Sequence, residues 1–179
     1  MSGSARGLAK SAGLRAAAAL VGAAGALGLA AAPAAAAGTQ LARSAPWATD
    51  ARVPPKVREQ CGLETRIPRA IADRSSEVEL VDGAPDRARG RALALSIGDV
   101  HAPGGGAFSG PKWAEVRGEL TESGKLIGSF RAKRFTTGGA WGVFQGTCSI
   151  LGRVADALGQ DIAAFLESPR LNAELGDAR

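Results

Sequence analysis

Four stretches of the chain carry a clear hydrophobic period. In RALALSIGDVHA, Arg91 to Ala102, Leu93, Leu95 and Ile97 alternate with Ala92, Ala94 and Ser96. AEVRGELT alternates more sharply, with Val116, Gly118 and Leu120 inward and Glu115, Arg117 and Glu119 outward. In KLIGSFRAKRF, Leu126, Gly128, Phe130 and Ala132 share one side, while Ile127, Ser129, Arg131 and Lys133 share the other. A period of two over such lengths predicts half-buried strands. Ser123-Gly124 lies between the last two runs and is a tight-turn signal, so Ala114 to Phe135 is predicted to be a β-hairpin. The fourth stretch, TCSILGRVADALGQDIAAFLESP, places Ile150, Leu151, Val154, Leu158, Ile162, Phe165 and Leu166 at helical spacing, with Ser168-Pro169 as the stop. Gly159 inside this helix costs ~1 kcal/mol against Ala, which points to a kink or to close packing there.

Two weaker elements precede these. A helix is predicted from about Val57 to Arg74, marked by Cys61, Leu63, Ile67 and Ile71 and interrupted by Pro68. A short strand, EVELV, follows at Glu77 to Val81. The order predicts an α+β fold: an about four-stranded, largely antiparallel sheet with two helices packed on one face. Residues 38–56 have no period and are expected to be a flexible leader. Residues 57–170 form the single α+β domain, and the polar residues 171–179 are expected to be a disordered tail.

The first 37 residues alter the charge picture. Arg6, Lys10 and Arg15 make a basic start with no acid before Asp50. An Ala-, Leu- and Gly-rich run from Ala16 to Ala32 follows, then Pro33 and the small residues Ala34 to Ala37. This is the layout of a secretory signal peptide over residues 1–37, cleaved near Ala37, and the run is short and weakly apolar for a span of ~20 residues. A periplasmic or secreted location follows, with no stable membrane span after cleavage. Of 22 basic residues, three sit in the signal, leaving 19 against 17 acids, a net +2. So balanced a mature chain gives no basic stripe for nucleic acid.

Cys61 and Cys148 are the two cysteines. In an oxidising compartment an even count implies a disulfide, here closing a long loop worth about 4–5 kcal/mol of chain entropy. Two unpaired buried thiols are the alternative. Two cysteines and the single His101 fall short of the four ligands zinc prefers, and no cofactor or metal is expected. The bond would join the two helices on one sheet face.

Three constellations invite chemistry. Gly138, Gly139, Trp141, Gly142, Phe144 and Gly146 form a glycine loop between a strand and a helix. Its spacing matches neither a phosphate loop nor a dinucleotide fingerprint, and no Lys-Ser/Thr follows. The glycines are expected to let Trp141 and Phe144 fold against the core beside Cys148. Ser109, His101 and Asp99 suggest a Ser-His-Asp arrangement of nucleophile, base and carboxylate, although no G-x-S-x-G elbow is present. Arg117, Arg131, Lys133 and Arg134 suggest an anion patch, which the interleaved acids oppose.

The stretch RGELTESGKLIGSFRAKRFTTGGAWGVFQGTCSILGRVADALGQDIAAFL resembles a group of uncharacterised exported proteins of Gram-negative bacteria. They share the hairpin, the Gly-Gly-aromatic-Gly turn, GTCSILGR and ALGQDIAAFL. The resemblance implies no particular activity and no catalytic residues. The layout is also similar to sheet-plus-two-helices domains of envelope assembly factors, such as the curli-secretion factor family and the amino-terminal domain of the TolB family. These likenesses imply an exported, non-enzymatic binding or assembly module with an envelope protein as partner. The alternative is a small secreted hydrolase using His101, Asp99 and Ser109.

Overall fold

The computed structural model describes residues 38–104, 110–136 and 146–178. Residues 1–37, Ser109 and most of the glycine loop (Gly138, Gly139, Trp141, Gly142 and Phe144) lie outside the described residues. The elements are β1 (Thr39–Ala42), α1 (Pro55–Gln60), α2 (Leu63–Ala72), β2 (Val78–Val81), β3 (Arg91–His101), β4 (Lys112–Glu122), β5 (Lys125–Thr136), α3 (Thr147–Glu167) and β6 (Ala173–Gly176). They form an α+β fold with one six-stranded sheet in the order β2-β1-β3-β4-β5-β6.

The hairpin is where alternation placed it. Ser123 and Gly124 both have positive φ, 49° and 84°, the combination a two-residue turn of the right twist demands. A bulge between Leu120 and Thr121 then shifts the register, so that Gly118 faces Phe130 and Trp113 faces Phe135. Gly118 is a packing glycine: a Cβ there would run into the Phe130 ring. Phe130 meets Phe165 of α3 edge-on, with centroids 4.9 Å apart.

The sheet is larger and more mixed than the periodicity predicts. β3, β4 and β5 are antiparallel, but β1 is parallel to both its neighbours and β6 is parallel to β5. The two extra strands come from residues 38–56 and 171–179, the expected leader and tail. Each is a four-residue strand, too short to show a period, and each takes its order from partners distant in sequence. Leu41 of β1 is fully buried, and Ala173 and Leu175 of β6 line the core. Beyond β1, Ile97 and the chain at Pro46 and Ala48 exchange backbone bonds of 2.8 Å, so this segment is laced to β3.

Among the described residues there are three helices, not two. The first predicted helix divides at Cys61-Gly62, where Gly62 adopts φ 59°. Pro68, the expected interruption, sits inside α2 instead. Proline has no N–H for the carbonyl four residues earlier, that of Glu64. Ala45 supplies the missing donor, its N–H reaching the Glu64 oxygen at 2.9 Å. The helix thus keeps its proline because a neighbouring segment of the same chain satisfies the orphaned acceptor.

All seven apolar residues predicted for the last helix are buried in α3. It packs with α2 on the side of the sheet bearing Leu93, Leu95, Ile97, Val116, Leu120, Phe130 and Ala132. Arg91 on β3 donates to the carbonyl of Leu166 at 2.9 Å and caps the negative end of α3. Arg134 on β5 makes two bonds, 2.6 and 2.7 Å, to Asp161 of α3. Cys61 and Cys148 are bonded, with Cα atoms 4.8 Å apart, so the end of α1 is tied to the first turn of α3.

Gly159 marks close packing: a Cβ there would lie 2.6 Å from the backbone of Ala70 in α2. Gly159→Ala should therefore destabilise the protein by ~1–3 kcal/mol in urea melts, although it favours an isolated helix by ~1 kcal/mol. A stabilised variant would show that α2 and α3 do not touch there.

Candidate functional site

No described helix covers the other side of the sheet. Along β3, β4, β5 and β6, Ser96, Arg117, Arg131 and Glu174 stand in one register row, and Ala94, Glu119 and Ser129 in the next. The small side chains Ala94, Ser96 and Ser129 leave a trough of about 560 Å3 between the long ones.

Two arginines face each other across this trough, an arrangement that repels unless neutralised. Glu115 does part of this: it accepts from Arg117 Nε at 3.1 Å and lies 3.8 Å from Arg131. Asp50 accepts from Arg117 at 3.1 Å, and Glu174 from Arg131 at 2.9 Å. The bonds to Asp50, foremost, and to Glu115 hold the Arg117 guanidinium above its ordinary pKa. The face is a lattice of mutually satisfied charges. Arg134 lies against α3 on the opposite side, so the four basic residues do not converge as an anion patch.

At one end of the same face, His101, Trp113 and Phe135 occupy directly paired positions on β3, β4 and β5. The imidazole and indole stack with centroids 5.9 Å apart and planes inclined by 17°. The Lys133 ammonium stands 4.1 Å from the indole centroid. Phe135 is 56% exposed. Nearby, Lys112 is fully buried at the start of β4, and that burial lowers its ammonium pKa.

Of the hydrolase residues, Asp99 and His101 are described, and each is engaged elsewhere. A bulge between Ile97 and Val100 redirects the strand at Asp99. Its carboxylate takes the Arg52 backbone N–H at 2.9 Å and the Arg52 side chain through Nε at 2.9 Å and through Nη2. Asp99 is thus committed to Arg52, while His101 stacks on Trp113. Ser109 lies outside the described residues. Of the glycine loop, Gly146 is described: it is the N-cap of α3, without a side-chain cap. An apolar cavity of about 530 Å3 beside it is walled by Pro54, Pro55, Val57, Ala102 and the disulfide.

The bonds from Arg52 hold the Asp99 carboxyl below the usual range. A depressed carboxyl stabilises the fold above its unfolded pKa of about 3.9 and loses that contribution as pH falls through the folded value. The melting difference between wild type and Asp99→Asn should be constant at neutral pH and shrink below about pH 4. A difference that does not change with acid would show that the pair is absent in solution.

The chain matches no known protein family, no curated protein and no solved structure. Function therefore has to be argued from the surface itself.

Sequence reasoning did not find Arg52, Trp113 and Phe135 as a group. The hairpin turn pointed to the Trp113–Phe135 neighbourhood, but the pairing depends on the bulge. Arg52 fell within residues 38–56, where no period draws attention.

Proposed function

We propose that the protein is an exported, non-enzymatic binding or assembly module that engages an envelope protein through the open face of its sheet. The observation that carries this is the asymmetry of the sheet: α2 and α3 cover one side, and the other offers a polar trough ringed by Arg117, Arg131, Glu119 and Glu174. The balanced charge suits a protein surface better than a polyanion. The disulfide is compatible with an oxidising compartment. The engagement of Asp99 by Arg52 counts against the hydrolase alternative.

The test is site-specific photocrosslinking in living cells. A probe at Ser129, on the open face, should yield a discrete adduct with an envelope protein. A probe at Asp156, on the outer side of α3, should not. Equal adducts from both positions, or none from Ser129, would remove the proposal. Mass spectrometry of the exported protein should also find a mature N-terminus within a few residues of Gly38. An intact Met1 would end the export argument.

A further inference from the structure

The sheet ends in two edge strands, β2 and β6, and an edge strand offers unpaired backbone groups to any extended chain. At β2, the Thr39 N–H reaches the Glu77 carbonyl at 2.6 Å and the Arg43 N–H reaches the Val81 carbonyl at 2.9 Å. Backbone groups alternate in direction along a strand. Glu77, Glu79 and Val81 therefore face β1, and Val78 and Leu80 face outward. An incoming strand, parallel or antiparallel, bonds to both the N–H and the C=O of such an outward residue. Neither residue has both to offer. The Val78 N–H turns back to the Ser75 carbonyl at 3.1 Å. The Leu80 carbonyl accepts from Arg43 Nη2 at 3.0 Å, and Asp82 holds the same guanidinium through Nε at 2.9 Å. Arg43 directly follows β1, so its side chain reaches past β2 to the outer edge.

The other edge is limited in a different way. The Asp177 N–H reaches the Lys133 carbonyl at 2.8 Å, so Ala173, Leu175 and Asp177 face β5 and Glu174 faces outward. Left-handed residues bracket it, Asn172 at φ 54° and Gly176 at φ 63°, which leaves β6 a single complete outward residue. β2 has no such break within it, and its sequence, VELV, is apolar and rich in β-branched residues. We infer that Arg43 is an autoinhibitory plug that closes the β2 edge against strand addition by a second copy of this chain. A bare β2 edge is its own complement: two copies can meet antiparallel about a two-fold axis, each supplying the groups the other lacks. With the Leu80 carbonyl occupied, that pairing loses the bonds at its centre.

The test is sedimentation velocity of the full chain over a concentration series, with the Leu80 amide followed by hydrogen exchange. Arg43→Ala and Arg43→Gln should self-associate at concentrations roughly tenfold below any association of the wild type. The Leu80 N–H, which faces outward, should exchange in the wild type at a rate independent of protein concentration. In both variants it should slow as concentration rises, because it gains an acceptor from the second copy. Lys125→Ala removes an exposed cation at the hairpin turn and should behave as wild type, which separates a lost plug from a lost charge. The Arg43 and Asp82 side chains are mostly solvated, so the Arg43 variants should melt close to wild type. Variants as dispersed as the wild type would overturn the inference. So would association that leaves the Leu80 amide exchanging freely, or association that accompanies a lowered melting temperature in both variants.

Discussion

Reduction of the Cys61–Cys148 bond should lower the stability of the protein by about 4–5 kcal/mol. The bond spans 87 residues, and closing so long a loop removes much of the freedom of the unfolded chain. It also holds the junction of α1 and α2 against the first turn of α3, where Arg66 of α2 donates to the carbonyl of Cys148 at 3.1 Å. The loss is a large share of the ~5–15 kcal/mol that stabilises a typical domain. Urea unfolding of the oxidised protein, the reduced protein and a Cys61→Ser/Cys148→Ser double variant checks it. The last two should coincide and fall well below the first. Near-identical midpoints for all three, or maleimide labelling of both thiols in the unreduced native protein, would show that the bond does not form.

Leu41→Ala should cost about 2–5 kcal/mol, the range for deleting most of a fully buried leucine. The expectation separates two pictures of residues 38–56. In a flexible leader the substitution would be silent. In the fold described, Leu41 is fully buried and β1 is hydrogen-bonded between β2 and β3. Truncation through Ala42 should be more damaging still, because it removes the strand to which β2 is hydrogen-bonded. Thermal melting of Leu41→Ala alongside Gln40→Ala, a partly exposed position on the same strand, provides the comparison. If both melt as wild type, β1 is not part of the sheet in solution.

The face assigned to the partner was only partly legible. Alternation placed Glu115, Arg117 and Glu119 outward on one strand and Arg131 and Lys133 outward on the next, and they are on the open face. It did not say which would be partners. The commitment of Asp99 to Arg52, of Asp50 to Arg117 and of Glu174 to Arg131 joins residues between 43 and 67 positions apart. No local pattern encodes such pairs. The anion patch fails for the same reason: Arg134 is adjacent to Lys133 in sequence, and adjacency in a strand sends the two to opposite sides of the sheet.

What the sequence determined by itself is whatever a local period can express. Long β3, β4 and β5 repeat inward and outward residues often enough to declare their type and face. The helix α3 repeats its apolar stripe over 21 residues. The turn at Ser123-Gly124 follows from the few residue types that tolerate positive φ there. Even the need for the bulge is implicit: a two-residue turn would pair the inward Val116 with the outward Arg131, and one slipped residue restores Val116 to Ala132. The tertiary structure alone decided the rest. β1 and β6 are four residues each and owe their conformation to backbone partners that only folding brings near, whereas the equally short β2 falls within the predicted strand EVELV. Pro68 stays within a helix because Ala45 occupies the acceptor it abandons, and Gly159 is required by Ala70 across the helix pair. Short strands, borrowed donors and close approaches are properties of two segments in contact. A period along one chain carries no term for them.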